Sequence, residues 1–412
     1  MTSKPPEFKP PQPNRREFLA TAAFAPLAVG IKPSHKRQAV CRLKSAVTGK
    51  NSNQLRRIAL QGLIELELLE PLLSTSHSFA RLEKELSLIE YLGLSGDYLT
   101  AYELIHQANE SGFLVLGRWV EHCSLVAYVL GIVRLCPITV GLSYEEFADE
   151  INRKPRVNLD VCSIQWDSIV EAKSNKLRTL RLIPKVFPSV IHCIQTLIRA
   201  TRSGTLVGLQ APLNDSATYQ MLSLGQTEDI PFLDQPQSQR ILTRLRPESF
   251  EELVAFSALE YGWFDTLAVW EFIAAKRGQV RFAWPSLIAE TLSSTYGQVI
   301  FRDQAFRVIQ DLLLCDYTSA ARYWQEMIDP TSDNYIDRRK TLRDAAGEIG
   351  LDDLMTSVLL EQFGRVNSES CSRAISVYGA FHDYTLAYLK THYPAEYGEA
   401  WHQVKDATGI TF

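Results

Sequence analysis

Helical periodicity is the feature that most constrains the fold of this 412-residue chain. From Asn53 onward, apolar residues recur every three or four positions, as they do on the buried face of an amphipathic helix. Charges such as Arg81 and Glu85 fall between them and are expected on the outer side of the second helix. Short strand-like runs occur at 113–115, 157–161 and 168–172. The pattern predicts an α+β fold, mainly α, with a small sheet.

The charge of the chain is concentrated at one end. Residues 1–57 carry twelve Lys and Arg against two Glu, a net charge of +10, so the overall charge of −4 leaves −14 for the remainder. This overall balance argues against a protein that coats nucleic acid with its whole surface. We expect residues 1–50 to form a basic, partly disordered segment that starts with the proline-rich stretch 1–13.

Residues 14–31 raise the question of where the protein works. Arg15-Arg16 followed by an apolar stretch is typical of a twin-arginine export signal, although Pro26 interrupts the apolar run. The alternative is a basic helix whose apolar face packs on the body of the protein. Seven scattered cysteines without a CxxC pair favour a reducing compartment, and no apolar run reaches the length of a membrane span. The main expectation is a cytoplasmic location, with export as the alternative.

Two ordered sets of motifs carry a family resemblance. The first set lies in 79–162 and includes Gly117-Arg118, the run Ser124-Leu125-Val126-Ala127-Tyr128, Cys136-Pro137 and Arg153-Lys154-Pro155. The second set includes Phe250-Glu251-Glu252-Leu253, Trp284-Pro285, Thr295-Tyr296-Gly297 and His392-Tyr393-Pro394-Ala395-Glu396-Tyr397. In this order the chain resembles the bacterial DNA polymerase III alpha subunit, the family C DNA polymerases, over about residues 53–407.

The resemblance implies the remnant of a nucleotidyltransferase-like palm in residues 51–203 and a helical fingers-like domain in residues 204–412. It also indicates a truncated and degenerate homologue. The phosphoesterase domain that precedes the palm in the family is not recognised, nor is a clamp-binding module after the fingers. The long thumb-bearing segment between the family's catalytic carboxylates is missing as well.

The resemblance implies Mg²⁺ as the cofactor, because family C polymerases transfer nucleotides with two magnesium ions held by three aspartates. Two of these acids occupy alternate positions on one strand, and the third comes from a neighbouring strand. Asp160 matches the first, Cys162 stands in place of the second, and the third maps near Lys173. A thiol is a poor magnesium ligand and a cation repels the metal. Asp160 is therefore interpreted as a vestigial catalytic and metal-binding residue, or as an ordinary acid of the strand.

Candidate residues for binding phosphate or DNA are Gly117, Arg118, Arg302 and Arg373, of which Gly117, Arg118 and Arg373 match motif positions of the family. The three arginines are either phosphate or DNA contacts, or salt-bridged side chains. After Arg118 the glycine-rich loop of the family is filled by the bulky run 119–122, which contains an acid. His122 in this run is interpreted as a packing residue. Trp263, Trp270 and Trp324 are expected in the core rather than as platforms for base stacking.

The sequence therefore predicts a DNA polymerase III alpha-like protein of DNA replication or repair that is catalytically impaired and acts by binding. DNA is one expected partner, and replication or repair proteins are the other. Two alternatives remain open at this point. The chain is a minimal active DNA-directed DNA polymerase with a rebuilt site, or it is an exported binding protein on a decayed polymerase fold.

Overall fold

The computed structural model describes residues 49–67, 73, 76–110, 114–162, 180–201, 211–261, 266–366 and 372–408. The twin-arginine-like stretch 14–31, the expected strand at 168–172 and Lys173 lie outside these residues, as does Trp263. In the part of the chain that is described, no helix combines the length and the apolar character that crossing a membrane requires.

The first part of the described chain surrounds a small sheet with helices. Its elements are α1 (Lys50–Glu67), α2 (Ser76–Tyr91), α3 (Ser95–Glu110), β1 (Val115–Gly117), a 3₁₀ helix (Trp119–Cys123), α4 (Leu125–Val129), α5 (Tyr144–Arg153), β2 (Val157–Cys162), β3 (Leu180–Lys185) and α6 (Val186–Thr201). Helix α5 begins with a full capping box: the Ser143 side chain accepts from the Glu146 backbone N–H, and the Glu146 side chain accepts from that of Ser143.

The sheet has the order β1-β2-β3, with β1 antiparallel and β3 parallel to β2. Every residue of β2 is buried, because strands flank it on both sides and α6 packs on it. The predicted strands at 113–115 and 157–161 are confirmed, with β1 shifted to Val115–Gly117. The third strand, β3, was not predicted. Its Pro184 argues against a strand by itself, but proline is tolerated at the edge of a sheet, where β3 lies.

The second part of the described chain is helical. Its elements are α7 (Ser216–Ser223), α8 (Pro236–Leu245), α9 (Phe250–Tyr261), α10 (Thr266–Lys276), α11 (Ser286–Thr291), a 3₁₀ helix (Ser293–Thr295), α12 (Arg302–Leu313), α13 (Tyr317–Ile328), α14 (Tyr335–Glu348), α15 (Asp353–Arg365), α16 (Arg373–His392) and α17 (Pro394–Thr408). The prediction of an α+β fold that is mainly α is confirmed. The domain limits at 51–203 and 204–412 stay predictions.

Two hydrophobic cores organise these elements. The larger core joins the sheet and α1–α6 to α7–α10 and to the last two helices, α16 and α17. The smaller core lies within α11–α15 and centres on residues such as Trp324, Met327 and Phe363. Trp324 is buried, and its Nε1 donates to the backbone oxygen of Phe363 at 3.1 Å, which confirms its predicted core position. Helix α16 packs on α9 and on the 3₁₀ helix after β1, so the end of the chain returns to the sheet.

Arg81 and Glu85 differ from the expectation that they lie on the outer side of their helix. Both side chains are buried, and Arg81 Nε donates to Glu85 Oε1 at 2.9 Å. Arg81 also donates to the backbone oxygens of Leu142 and Cys123, while Glu85 accepts from the Ser124 hydroxyl. A buried pair is tolerated when further hydrogen bonds satisfy both charges, which is the case here. The pair thereby anchors the chain that follows β1 and contains the candidate site.

Candidate functional site

Asp160 lies in the middle of β2, and its side chain is fully buried. Its Oδ1 accepts from Arg118 Nη1 at 3.2 Å. Its Oδ2 accepts from the hydroxyl of Tyr378, which belongs to α16 and is 218 residues away in the chain. The carboxylate therefore accepts from a cation and from a neutral hydroxyl. It connects the sheet to the penultimate helix of the described chain.

Arg118, the ion-pair partner of Asp160, is held by contacts of both its backbone and its side chain. Its side chain is 12% exposed, and its backbone N–H donates to the Asn158 oxygen at 3.0 Å. The guanidinium carbon lies 4.2 Å from the ring centre of Trp119 and 5.8 Å from that of Tyr378. Two aromatic rings thus cover a cation whose charge is balanced by Asp160. In this conformation the guanidinium serves the fold.

The residue after Arg118 has a backbone conformation that favours glycine, although that residue is a tryptophan. Trp119 has φ of 57°, in the left-handed region. The preceding Gly117 has no room for a side chain, because an added Cβ would lie 2.8 Å from Val133 Cγ1 and 2.9 Å from Ile132 Cγ2. Its N–H donates to the Ile132 oxygen at 2.6 Å. A phosphate cradle needs free backbone N–H groups, and this one is occupied.

Glu121 and His122 add two buried ionisable groups beside this pair. Burial, opposed by hydrogen bonds and reinforced by the nearby charge of Asp160, raises the pKa of Glu121 to about 8. Glu121 Oε1 accepts from the Asn158 backbone N–H at 2.8 Å. Burial lowers the pKa of His122 to about 4, so its ring is neutral, and it meets Tyr378 edge to face at 5.5 Å. Both groups favour their uncharged forms at neutral pH.

The donor set around Asp160 does not fit a pair of magnesium ions. The residue paired with Asp160 on the neighbouring strand is Ile183, and the partner of Cys162 is Lys185. No residue of β3 is an acid. Within the described ranges, no group of three or more His, Cys, Asp or Glu is placed to hold a metal. Both oxygens of Asp160 already accept hydrogen bonds, so among the described residues of the sheet the one carboxylate that matches a family ligand is already engaged.

Of the sequence-predicted site residues, the structure brings Gly117, Arg118 and Asp160 together. Arg302 and Arg373 lie outside this group, at the starts of α12 and α16. Arg302 Nη2 donates to Glu150 Oε1 of α5 at 2.9 Å. The Arg373 guanidinium carbon lies 5.1 Å from the ring centre of Phe301. Their roles in phosphate or DNA binding stay predictions. Arg118 and Arg302 are both salt-bridged side chains in this conformation.

The sequence interpretation missed two residues of this site. Tyr378 was not detected, because nothing in a helical pattern says that one tyrosine contacts a strand 218 residues away. Glu121 was recognised as an added acid, but its link to β2 was not. The available signal was the run 119–122 itself, since an acid next to a buried strand needs a partner in the fold.

Two family models match this chain. Residues 53–180 match the bacterial DNA polymerase III alpha NTPase domain, and residues 187–348 match the bacterial DNA polymerase III alpha subunit finger domain. The two matches follow each other in the chain and together span more than half of it. The chain belongs to the family of bacterial DNA polymerase III alpha subunits, as an alpha-like homologue.

Curated relatives agree at low identity. The chain is 24% identical over 275 residues to DNA polymerase III subunit alpha of Buchnera aphidicola subsp. Acyrthosiphon pisum, covering 65% of this chain and 22% of that protein. It is 27% identical over 215 residues to the subunit of Aquifex aeolicus, covering 50% of this chain and 18% of that protein. For the Pasteurella multocida subunit the identity is 22% over 258 residues, with 61% and 22% covered. The matched region spans about a fifth of the length of these relatives.

Proposed function

We propose that this protein is an alpha-like component of DNA replication or repair that binds DNA or a partner protein and does not transfer nucleotides. The observation that carries the proposal is the engagement of Asp160 by Arg118 and Tyr378. The family supports the biological setting, since the relatives are named DNA polymerase III subunit alpha. A cytoplasmic location, where such subunits work, is part of the same proposal.

The ion pair between Asp160 and Arg118 argues against catalysis at Asp160. Two-metal nucleotidyl transfer needs carboxylate oxygens that face the metals and the substrate. Here the negative charge of Asp160 already balances Arg118, whose side chain is 12% exposed. Releasing the carboxylate for a metal would leave that guanidinium buried without a counter-charge, at a cost of about 3–5 kcal/mol. The added metal would also have to lie next to the freed cation.

Retention of the fold argues for a binding role. The large core and the contact between Tyr378 of α16 and Asp160 of β2 keep the sheet packed against the helical part of the described chain. The phosphate-binding candidates Arg302 and Arg373 lie at the starts of two helices. Arg302 is buried and paired with Glu150, so Arg373, which is half-buried, is the better placed of the two for a contact with DNA. The basic residues of 1–57 add a second cationic region.

The test is a primer-extension assay and a DNA-binding assay on the same purified full chain. With Mg²⁺ and all four deoxynucleotides we expect no extension, while a labelled primer-template is bound with an affinity that falls steeply as salt is raised. An active alpha subunit from one of the relatives serves as the positive control for extension. Extension by this chain that disappears in Asp160→Asn would establish the minimal polymerase instead.

A second pair of variants distinguishes an effect specific to Asp160 from a general loss of folding. Asp160→Asn keeps the size of the side chain, and Asp316→Asn changes an exposed helix-capping acid on α13 by the same chemistry. Under the proposal neither variant changes DNA binding by more than its effect on folding. If the chain binds neither DNA nor any replication or repair protein, the proposal is wrong.

A further inference from the structure

Four exposed arginines lie at the ends of two neighbouring helices of the fingers-like region. Arg240 and Arg244 are one turn apart on the exposed face of α8, and Arg246 follows the last residue of that helix. Arg277 follows the last residue of α10 and is exposed as well. We call these four residues the arginine patch.

Contacts between the two helix ends hold the patch together. Arg277 Nη2 donates to the Arg244 backbone oxygen at 2.5 Å, and Lys276 Nζ donates to the Arg246 oxygen at 2.6 Å. The Arg244 guanidinium carbon lies 4.9 Å from the ring centre of Trp270 of α10, a half-buried residue that packs against the larger core as expected. Arg244 and Arg277 are therefore held in place before any ligand arrives, which lowers the entropy cost of binding.

The charge of the patch is not compensated. Lys276, beneath it, is paired with Glu252 at 2.9 Å, so the adjacent acid is already used. The next exposed acid along the chain, Glu248, makes no ion pair with the patch, and among the described residues none of the four arginines has a carboxylate within salt-bridge distance. Four exposed arginines without an ion pair among the described residues thus stand on a chain whose net charge is −4.

Arg246 occupies a backbone position that ordinarily belongs to glycine. It caps α8 with φ of 48°, in the left-handed region. A residue with a Cβ costs about 1–2 kcal/mol in this conformation relative to its preferred region. Packing does not explain the side chain, because it is exposed. The guanidinium of Arg246 therefore adds an exposed positive charge at the end of α8, close to Arg244 in the chain.

From these observations we infer that the arginine patch binds the phosphate backbone of a nucleic-acid strand. The inference rests on the proposed function and assigns its DNA binding to a particular surface. A planar guanidinium matches the oxygens of a phosphate with two parallel hydrogen bonds. Protein interfaces have an apolar centre, whereas nucleic-acid interfaces are polar and strongly positive, and the patch is of the second kind.

The experiment measures binding of a labelled single-stranded oligodeoxythymidylate to the full chain over a range of salt concentrations. Arg240→Gln with Arg246→Gln removes two exposed charges and spares the two arginines that contact the protein. If both contact phosphate, the slope of log affinity against log salt falls by about 1.4, and affinity at 0.1 M salt falls about 25-fold. Circular dichroism and thermal unfolding of the same sample confirm that the double variant is folded.

The matched control is Lys340→Gln with Arg343→Gln, which removes the same charge from the exposed side of α14. It is expected to change affinity by less than about twofold, because distant surface charges are screened by salt. Equal losses in the two double variants, unchanged binding in the patch variant, or no binding by the unmodified chain would each overturn the inference. A polyglutamate peptide is the second probe. Binding of that peptide with equal affinity and equal sensitivity to the patch variant would assign the patch to acidic proteins.

The two proposals fail separately. Primer extension by the unmodified chain would overturn the proposed function, yet the patch would still be supported if the double variant lost DNA binding. Conversely, DNA binding that is unaffected by the patch variant overturns the inference and leaves the proposed binding role intact.

Discussion

Arginines in two regions of this protein have opposite surroundings. Arg118, in the region that matches the polymerase NTPase domain, is covered by aromatic rings and paired with the buried Asp160. The arginine patch, in the region that matches the finger domain, is exposed, and none of its arginines has a described carboxylate within salt-bridge distance. The difference shows that retention of a basic residue says little about function until its counter-charge is known.

The physical basis of the contrast is desolvation. A buried cation loses its hydration and must recover that free energy from a nearby anion and from hydrogen bonds, so it is committed to the fold. An exposed cation keeps its water until a ligand displaces it, and surface pairs contribute little to stability. We call the largely buried group of Arg118, Glu121, His122, Asp160 and Tyr378 the closed cluster. Substitutions in the closed cluster should therefore change stability, and substitutions in the arginine patch should change binding.

The largest expected effect comes from Arg118→Met. Removing the cation takes away the charge that balances the buried Asp160 and should lower the free energy of unfolding by about 3–5 kcal/mol. Urea denaturation followed by circular dichroism measures the loss. Arg240→Met in the patch is the matched change and should stay within about 0.5 kcal/mol of the unmodified chain.

Adding Asp160→Asn to Arg118→Met tests the same pair from the other side. The double variant no longer buries a carboxylate that has lost the guanidinium of Arg118, so it should recover part of the loss. Equal costs for Arg118→Met and Arg240→Met, or no recovery in the double variant, would show that the closed cluster does not stabilise the fold.

A smaller effect is expected for Tyr378→Phe. The ring that packs beside Arg118 and His122 remains, but Asp160 Oδ2 loses its hydroxyl donor. Loss of a hydrogen bond to a buried charged group costs about 1.5–3 kcal/mol, measured as in the previous experiment. Tyr91→Phe at the exposed end of α2 is the control and should have little effect. A Tyr378→Phe variant as stable as its control would mean that α16 is not tied to β2 through this contact.

These residues also show what a sequence can and cannot predict here. The order of motifs predicted the family, and apolar periodicity predicted a mainly helical fold and the buried strand β2, because both depend on local spacing. The position of Asp160 on that strand followed from the same pattern. Its partner Tyr378 did not, since the contact depends on how α16 returns to the sheet.

Burial of charge was the least predictable property. Arg81 and Glu85 were expected outside because charged residues usually face water, yet they are buried with their hydrogen bonds satisfied by the chain near the 3₁₀ helix. Strand β3 was missed for a related reason. Pro184 disfavours a strand in isolation, and only the neighbouring β2 shows that it lies at an edge.

The pH dependence of stability sharpens the description of the closed cluster. The pKa of Glu121 is raised to about 8 in the folded chain, so its contribution is fully present below its ordinary pKa of 4.5 and is lost as pH rises through 8. His122, with its pKa lowered to about 4, acts oppositely and loses its contribution as pH falls below 6.5. Between pH 6.5 and 8, Glu121 should therefore dominate over His122 and stability should fall.

The measurement is the unfolding free energy of Glu121→Gln and of the unmodified chain at several pH values in that window. Gln cannot ionise, so the variant should lose less stability by about 1–2 kcal/mol over the window. Some slope remains, because burial and the nearby Asp303 raise the pKa of Glu146 to about 7. Glu348→Gln, exposed on α14, should leave the slope unchanged. A slope that is identical in Glu121→Gln and the unmodified chain would contradict a buried, protonated Glu121.

The smallest expected effect on stability is at Arg246, where a substitution should change stability and DNA binding in opposite directions. Arg246→Gly relieves a left-handed residue at the end of α8, and the relief, reduced by the greater freedom of glycine in the unfolded chain, should raise the free energy of unfolding by about 0.5–1 kcal/mol. Arg240→Gly removes the same side chain from the interior of α8 and should lower it by about 1 kcal/mol. Thermal unfolding distinguishes the two signs, and both variants should bind oligodeoxythymidylate more weakly. If Arg246→Gly gained stability and bound DNA unchanged, the strained arginine would have no role in binding, and the contrast between a closed and an open set of arginines would lose its functional meaning.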